Sequence, residues 1–317
     1  MRKTTIPALT RLLFPVKDFD LFSHSLPLVE FISRTMEKKL ERLDLLHVIG
    51  GSFLSTHLNN IDFRAGRVLS SELMQRLRTQ HYENFVSPLL DKVQNLLFEK
   101  EGGLQAKVRV EDGDPVKRII SICEQERYTT LILARRKKKE QDEVAETVLN
   151  GVLNHHLDAS IYIVGEDGFP PEKHPASRIM IGIDGSEAAL AAVEEAAIFL
   201  NRSGSDVEEI LLVNVRDPSC FLGENEISCK QASDKGYHHL QEAEEILVGQ
   251  GVDTSKIVTM LLFGRPGATL ASHAREFGAT MLFIGRRNRM KIAEVLLGSV
   301  SGDVIHRCRK TTVVLVS

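Results

Sequence analysis

The chain of 317 residues has no tryptophan, only four cysteines, aromatics at 6% and a net charge of −3 from 40 basic and 43 acidic side chains. That near balance excludes a wholesale nucleic-acid or membrane-surface binder, which needs a cationic excess. Cys123, Cys220, Cys229 and Cys308 form no CxxC pair and no histidine stands at zinc-finger spacing, so neither a disulfide framework nor a structural zinc site is implied. No apolar run approaches the ~20 residues that cross a bilayer. The opening MRKTTIPALTRLLFPV has too short an apolar stretch and no small-residue cleavage pattern for a signal peptide, and the expected location is the cytoplasm. Also missing are GxxxxGK[ST], GxGxxG after a strand, HExxH and GxSxG, which removes the commonest P-loop, Rossmann, zincin and hydrolase readings.

What is present is the composition of a folded protein, 43% hydrophobic and 26% charged with 22 glycines and 10 prolines, at about twice the ~150 residues of a usual domain. The segment EDGFPPEKHPAS, Glu166 to Ser177, places Gly168, Pro170, Pro171 and Pro175 between two strongly apolar stretches and reads as a linker. The expected units are residues 1–166 and 178–317, with 167–177 between them. The two units repeat one pattern. Gly113-Asp114-Pro115 recurs as Gly264-Arg265-Pro266, and Ala134 at the end of TTLILA recurs as Gly285 at the end of TMLFIG, both at an offset of 151. Upstream, Pro15 matches Gly182 and Val48 matches Val215 at an offset of 167. The fall from 167 to 151 gives the first unit 16 extra residues between its second and third strands, expected around Phe53 to Leu73.

In the second unit, Ile179 to Ile183, Ile210 to Val215, Ile257 to Phe263, Thr280 to Ile284 and Thr312 to Val316 are short and apolar throughout, as expected of parallel strands covered on both faces. Helical patterns lie between them. Ser186 is placed to N-cap a helix with apolar positions at Leu190, Val193, Ala197 and Leu200, and Val116, Ile119, Ile120 and Cys123 give the i, i+3, i+4, i+7 spacing after Pro115. The fold class is therefore α/β: two repeated doubly wound domains, each a mostly parallel five-stranded sheet with helices on both faces. IYIVG and TTVVLVS are apolar edges, and pairing them joins the units.

Ligands of such sheets sit at the carboxyl ends of the strands. There, Gly285 ends a buried strand, a basic loop follows, and Gly298-Ser299 opens a helix with Val300, Ser301, Gly302 and Asp303 in its first turn. Strand-end glycine allows close backbone approach, and a Gly-Ser helix start offers free N–H groups and a hydroxyl, an anion cradle suited to phosphate. Arg286, Arg287, Arg289 and Lys291 add cations to the loop.

This stretch resembles the universal stress protein family, whose nucleotide-binding members carry Gly, two residues, Gly, nine residues, then Gly-Ser or Gly-Thr. The match is Gly285, Arg286-Arg287, Asn288, Arg289 to Leu297, then Gly298-Ser299; the spacing is kept and Asn288 replaces one glycine. Asparagine is the side chain that best tolerates positive φ. The likeness extends to the first-strand ending Gly182-Ile183-Asp184, to Val215 and to the Gly264 to Pro266 turn, and it covers both units. It implies ATP, with Mg, as ligand: Gly182, Ile183, Asp184 and Val215 by adenine and ribose, and Gly285, Arg286, Asn288, Arg289, Gly298, Ser299, Val300 and Ser301 holding the phosphates. In the first unit Ala134, Lys137 and Thr147-Val148 stand at the three glycine positions and Lys17 where the Asp is expected, with Asp18 one residue on. That copy is expected not to bind ATP.

The resemblance implies a tandem universal stress protein: an internal pseudo-dimer, open to further pairing as a homodimer, that senses or regulates a stress response through an adenine nucleotide in its C-terminal domain and an unidentified protein partner. No nucleophile and base are positioned, so ATP hydrolysis or self-phosphorylation is at most weak. The alternatives are an interaction module of the same fold without nucleotide, using the insertion and the run Arg135 to Lys139 as partner surfaces, and an enzyme of a related nucleotide-binding class. Nucleic acid is disfavoured, because no aromatics interleave the basic run. His47 is expected to be a satisfied packing residue. The pairs His155-His156 and His238-His239 are not expected to bind metal, since helical neighbours diverge.

Overall fold

The computed structural model describes residues 8–51, 71–99, 106–136, 143–170, 172–218, 226–286 and 298–317. Its ten strands are β1 (Arg11–Pro15), β2 (Arg42–Ile49), β3 (Lys107–Asp112), β4 (Thr130–Ala134), β5 (Ser160–Val164), β6 (Arg178–Gly182), β7 (Glu209–Arg216), β8 (Ile257–Phe263), β9 (Met281–Gly285) and β10 (Thr312–Val316). The described helices are α1 (Phe19–Met36), α2 (Ser71–His81), α3 (Ser87–Phe98), α4 (Pro115–Gln125), α5 (Glu143–Leu153), α6 (Glu187–Ser203), α7 (Glu226–Gly249), α8 (Pro266–Phe277) and α9 (Ser299–Arg307). A π-helical turn, Tyr82–Val86, joins α2 to α3.

The inner strands are mostly apolar because successive side chains feed two cores on opposite faces of the sheet, whereas the edge strand β3, KVRVED, has no buried position. Leu12 and Phe14 enter one core with Phe22, Ile32, Val193 and Leu240, while Leu13 enters the other with Ile119, Leu149, Leu270 and Val304. Each core runs through both halves of the chain. The expected repeat is visible in the elements. β1 and β6 end at Pro15 and Gly182, β4 and β9 end at Ala134 and Gly285, and Gly113 and Gly264, with φ of 126° and 155°, turn the chain into α4 and α8. Only glycine adopts such angles without strain, which is why the Gly-x-Pro turn occurs in both halves. Ser186 N-caps α6, its hydroxyl accepting from the Ala189 amide at 3.2 Å, as the sequence predicts. The expected insertion falls largely on residues 52–70, outside the described residues.

The strand order is β3-β2-β1-β4-β5-β10-β9-β6-β7-β8, one ten-stranded sheet. Within each half every pair is parallel; the halves meet where β5 pairs antiparallel with β10, Ile163 opposite Val313 and Ile161 opposite Leu315. Both strands are buried at every position. Beside this seam Phe31 of α1 stacks on Phe199 of α6 at 4.9 Å, and Phe199, Phe283 and Tyr162 form a cluster of edge and tilted contacts. The segment expected to be a linker is docked. Glu166 pairs with Arg309 at 3.0 Å, its amide donates to the Arg309 carbonyl at 2.9 Å, and Phe169 packs on the first core.

One buried acid lies in the seam. Glu195 of α6 is 3% exposed and accepts from Ser160 Oγ at 2.6 Å and Tyr162 Oη at 2.5 Å, both on β5 of the other half. Burial raises its carboxyl to about 7, outweighing the two hydrogen bonds that favour the anion. The folded state thus prefers the protonated form, whereas the unfolded chain ionises near pH 4. Stability from this group is full below that pH and is lost as pH rises to about 7, by up to about 3 kcal/mol. Glu195→Gln is expected to match the parent Tm at pH 4 and exceed it by about 5 °C at pH 8. Parallel Tm–pH curves for the two proteins would contradict this.

Candidate functional site

Parallel strands bring their carboxyl ends to one edge, and β6, β7 and β9 bring Gly182 to Asp184, Val215 and Gly285 together in the carboxy-terminal half. Because β9 and β10 are parallel, α9 must start at that same edge and run back to the other. Gly298 and Ser299 are exposed and Ser301 is buried in the helix's first turn. The α9 start has Gly298 as its N-cap and, among the described residues, no side-chain cap on its amides. α6, by contrast, is closed by Ser186, and its cap is tied to the first strand: Asp184 Oδ1 accepts from the Ser186 amide at 3.0 Å and from its hydroxyl at 2.5 Å. Asp184 therefore serves as a turn and capping residue.

Gly285 is fixed by packing. A Cβ there would lie 2.3 Å from the Ala188 carbonyl carbon and 2.5 Å from the Ala189 nitrogen, so the first turn of α6 rests directly on the strand end. Three residues that sequence reasoning did not single out shape the neighbouring ledge. Asn214 Nδ2 donates to the Ile183 carbonyl at 2.7 Å and fixes the chain leaving β6. The His239 imidazole, on α7, lies against Gly185, and its Nδ1 is 3.4 Å from Arg216 Nη2. Burial and then the Arg216 charge hold His239 below the usual histidine range, leaving Nδ1 free to accept. The signal was Asn214 and Arg216 in the otherwise apolar strand EILLVNVR.

The Arg286 side chain is turned away from the place expected for phosphate. Its guanidinium is 7% exposed and crosses the seam, Nη2 donating to the carbonyls of Leu153, at 3.2 Å, and His155. Asn288 and Arg289, with Arg287 and Lys291, lie outside the described residues. The Universal stress protein family profile matches residues 175–316. The carboxy-terminal half belongs to the universal stress protein family.

Two curated relatives match at similar distance. Universal stress protein YxiE of Bacillus subtilis is 27% identical over 141 residues, 40% of this chain and 90% of that protein. Universal stress protein Sll1388 of Synechocystis is 28% identical over 149 residues, 44% of this chain and 96% of that protein. A solved universal stress protein from Archaeoglobus fulgidus shares the fold along 97% of this chain and 98% of its own, with a TM-score of 0.63 at 19% identity.

The amino-terminal half has the universal stress protein topology with a closed edge. Asp18 N-caps α1 through the Leu21 amide at 2.9 Å, and its other oxygen pairs with Arg136. Thr147 and Val148 sit inside α5, which begins at Glu143, so the residues at the Gly-Ser positions do not form the first turn of that helix. His47 is buried, with Nδ1 2.8 Å from the Val16 carbonyl, the same tie that Asn214 makes to Ile183. The basic run is corrected as a partner surface at its first two positions, since Arg135 is buried and Arg136 is paired; Lys137 to Lys139 lie outside the described residues. Among the described residues no group of histidines, cysteines or acids is arranged for a metal, and no helix is long and apolar enough to cross a membrane. Gly285→Ala, which sets Cβ against helix backbone, is expected to destabilise by about 2 to 3 kcal/mol, read as a lower urea midpoint; an unchanged midpoint would contradict the contact.

Proposed function

We propose that the chain is a tandem universal stress protein whose carboxy-terminal unit, residues 178–317, binds ATP and which acts as a sensor or regulator of a stress response. The observation that carries this reading is the uncapped start of α9 at the carboxyl edge. Among the described residues no side chain caps its first-turn amides, from Ser299 to Ser301, and only Ser301 Oγ, at 3.9 Å, comes within 4 Å of the place a Cβ on Gly298 would take. Such a start presents partial positive charge and free donors to an anion. Asp184 and Val215 lie on the adjoining strand ends, where the family resemblance puts adenine and ribose. The contrast between halves supports the same reading: where the cradle residues are lost, the Asp18–Arg136 pair closes the edge. Mg, if it accompanies ATP, is held by the phosphates. The reading is one of binding rather than turnover.

A second reading, a module of this fold that recognises a protein and no nucleotide, draws on Arg286, whose charge is turned away from the α9 start. Calorimetric titration of ATP separates the two. The parent is expected to bind and a Gly298→Val, Ser299→Ala variant to lose at least tenfold in affinity, the scale of two removed phosphate contacts. No heat at millimolar ATP with the fold intact would overturn the nucleotide reading.

A further inference from the structure

Two arginines 151 positions apart make the same unusual contact. Arg135 follows β4 and Arg286 follows β9; their amides donate to Val164 at 3.1 Å and Val316 at 2.6 Å, the ends of the neighbouring strands. Both side chains are buried, at 5% and 7% exposure, and both cross into the other half. Arg135 Nη1 donates to the Cys308 carbonyl at 3.2 Å, where α9 ends, and Arg286 Nη2 donates to Leu153 and His155, where α5 ends. Burying a guanidinium costs free energy that burying an aliphatic side chain would not. Two things offset it here. The last turn of α5 has no basic residue of its own, so Arg286 supplies the cation that the negative helix end favours. One guanidinium nitrogen, Nη2, also donates to two carbonyls at once.

We propose that Arg286 is a positioning residue through which the amino-terminal half fixes the point where the chain leaves β9, so that the carboxy-terminal site is built from both halves. Gly285, one residue before, is pressed against α6, and Arg286 is pinned to α5. The exit from the strand is thereby fixed by one contact from each half. In the amino-terminal half the mirror contact by Arg135 fixes the corresponding exit, beside an edge that Arg136 and Asp18 have closed. The two ties are alike in form, and only the one at Arg286 lies in the half whose Gly-Ser positions open a helix. The first half then serves as a scaffold for the site of the second.

The test uses the full chain with Arg286→Met, Arg286→Lys and Arg135→Met. Limited tryptic digestion without nucleotide, read by mass spectrometry, compares cleavage after Arg287, Arg289 and Lys291 with cleavage after Lys137, Lys138 and Lys139. Arg286→Met is expected to speed the first set about tenfold and leave the second unchanged, and Arg135→Met to do the reverse. Equal acceleration of both sets, or of neither, overturns the proposal. The affinity arm rests on the ATP reading: Arg286→Met is expected to weaken ATP about tenfold and Arg286→Lys to restore none of it, since the lysine ammonium ends one bond short of where Nη2 meets the two carbonyls. Full affinity in the lysine variant would make residue 286 a direct phosphate contact and overturn positioning. If the parent binds no ATP, the nucleotide reading falls and the digestion pattern alone decides this proposal.

Discussion

Antiparallel pairing of β5 with β10 is the contact on which the rest of the molecule depends. Each strand ends its own half, and alone each would expose a row of unpaired amides and carbonyls on an entirely apolar strand. Pairing them turns two five-stranded sheets into one of ten strands and makes both cores continuous across the chain. It also sets the halves head to tail, so their carboxyl edges point in opposite directions. The strand exits after β4 and β9 then stand beside the last helix of the other half, which is why Arg135 and Arg286 reach across. The Phe31–Phe199 stack and the Glu195 network lie over the same seam. A packing solution for two edges thus dictates where cations, aromatics and one buried acid are found.

Within that near-symmetric frame the two halves diverge in chemistry through few residues. Asp18 and Ser186 both cap a helix at equivalent places, yet Asp18 has a second oxygen that holds Arg136 and shuts the edge. α5 begins before Thr147, whereas α9 begins at Ser299, so the residues at the Gly-Ser positions open a helix on one side alone. Gly285 admits α6 to the strand end and Ala134 stands at the same point of the other half. The backbone plan is common; the openness of the edge is set by side chains and by where one helix starts.

Most of the fold was legible because the evidence for it is local. Strand ends at Gly182, Val215 and Gly285, the Gly-x-Pro turns and the Ser186 cap each follow from period, φ restrictions or a capping oxygen, and repeating them at fixed offsets made the duplication readable. Even the seam could be read, since two apolar strands at the ends of two units must be covered. Contacts between distant residues were harder. The basic stretch after β9 suggested phosphate for Arg286, and no local signal tells that its guanidinium ends on carbonyls 131 and 133 positions earlier. The turn-rich segment after β5 was read as a linker because glycine and proline mark chain reversal equally well in a docked strap and a free one. His239 and Arg216 were missed for the same reason: their meeting depends on how α7 lies across the strand ends.

The account stands on the carboxy-terminal edge accepting a nucleotide while the amino-terminal edge does not. Amide chemical-shift mapping of the labelled full chain during ATP titration tests this most directly. The predicted result is saturable shifts at Gly182 to Asp184, Val215, Gly285 and Ser299 to Ser301, with Val16 to Asp18, Val48, Ala134 and Thr147 to Val148 unmoved. Shifts confined to the amino-terminal set, or none at millimolar ATP, would contradict it.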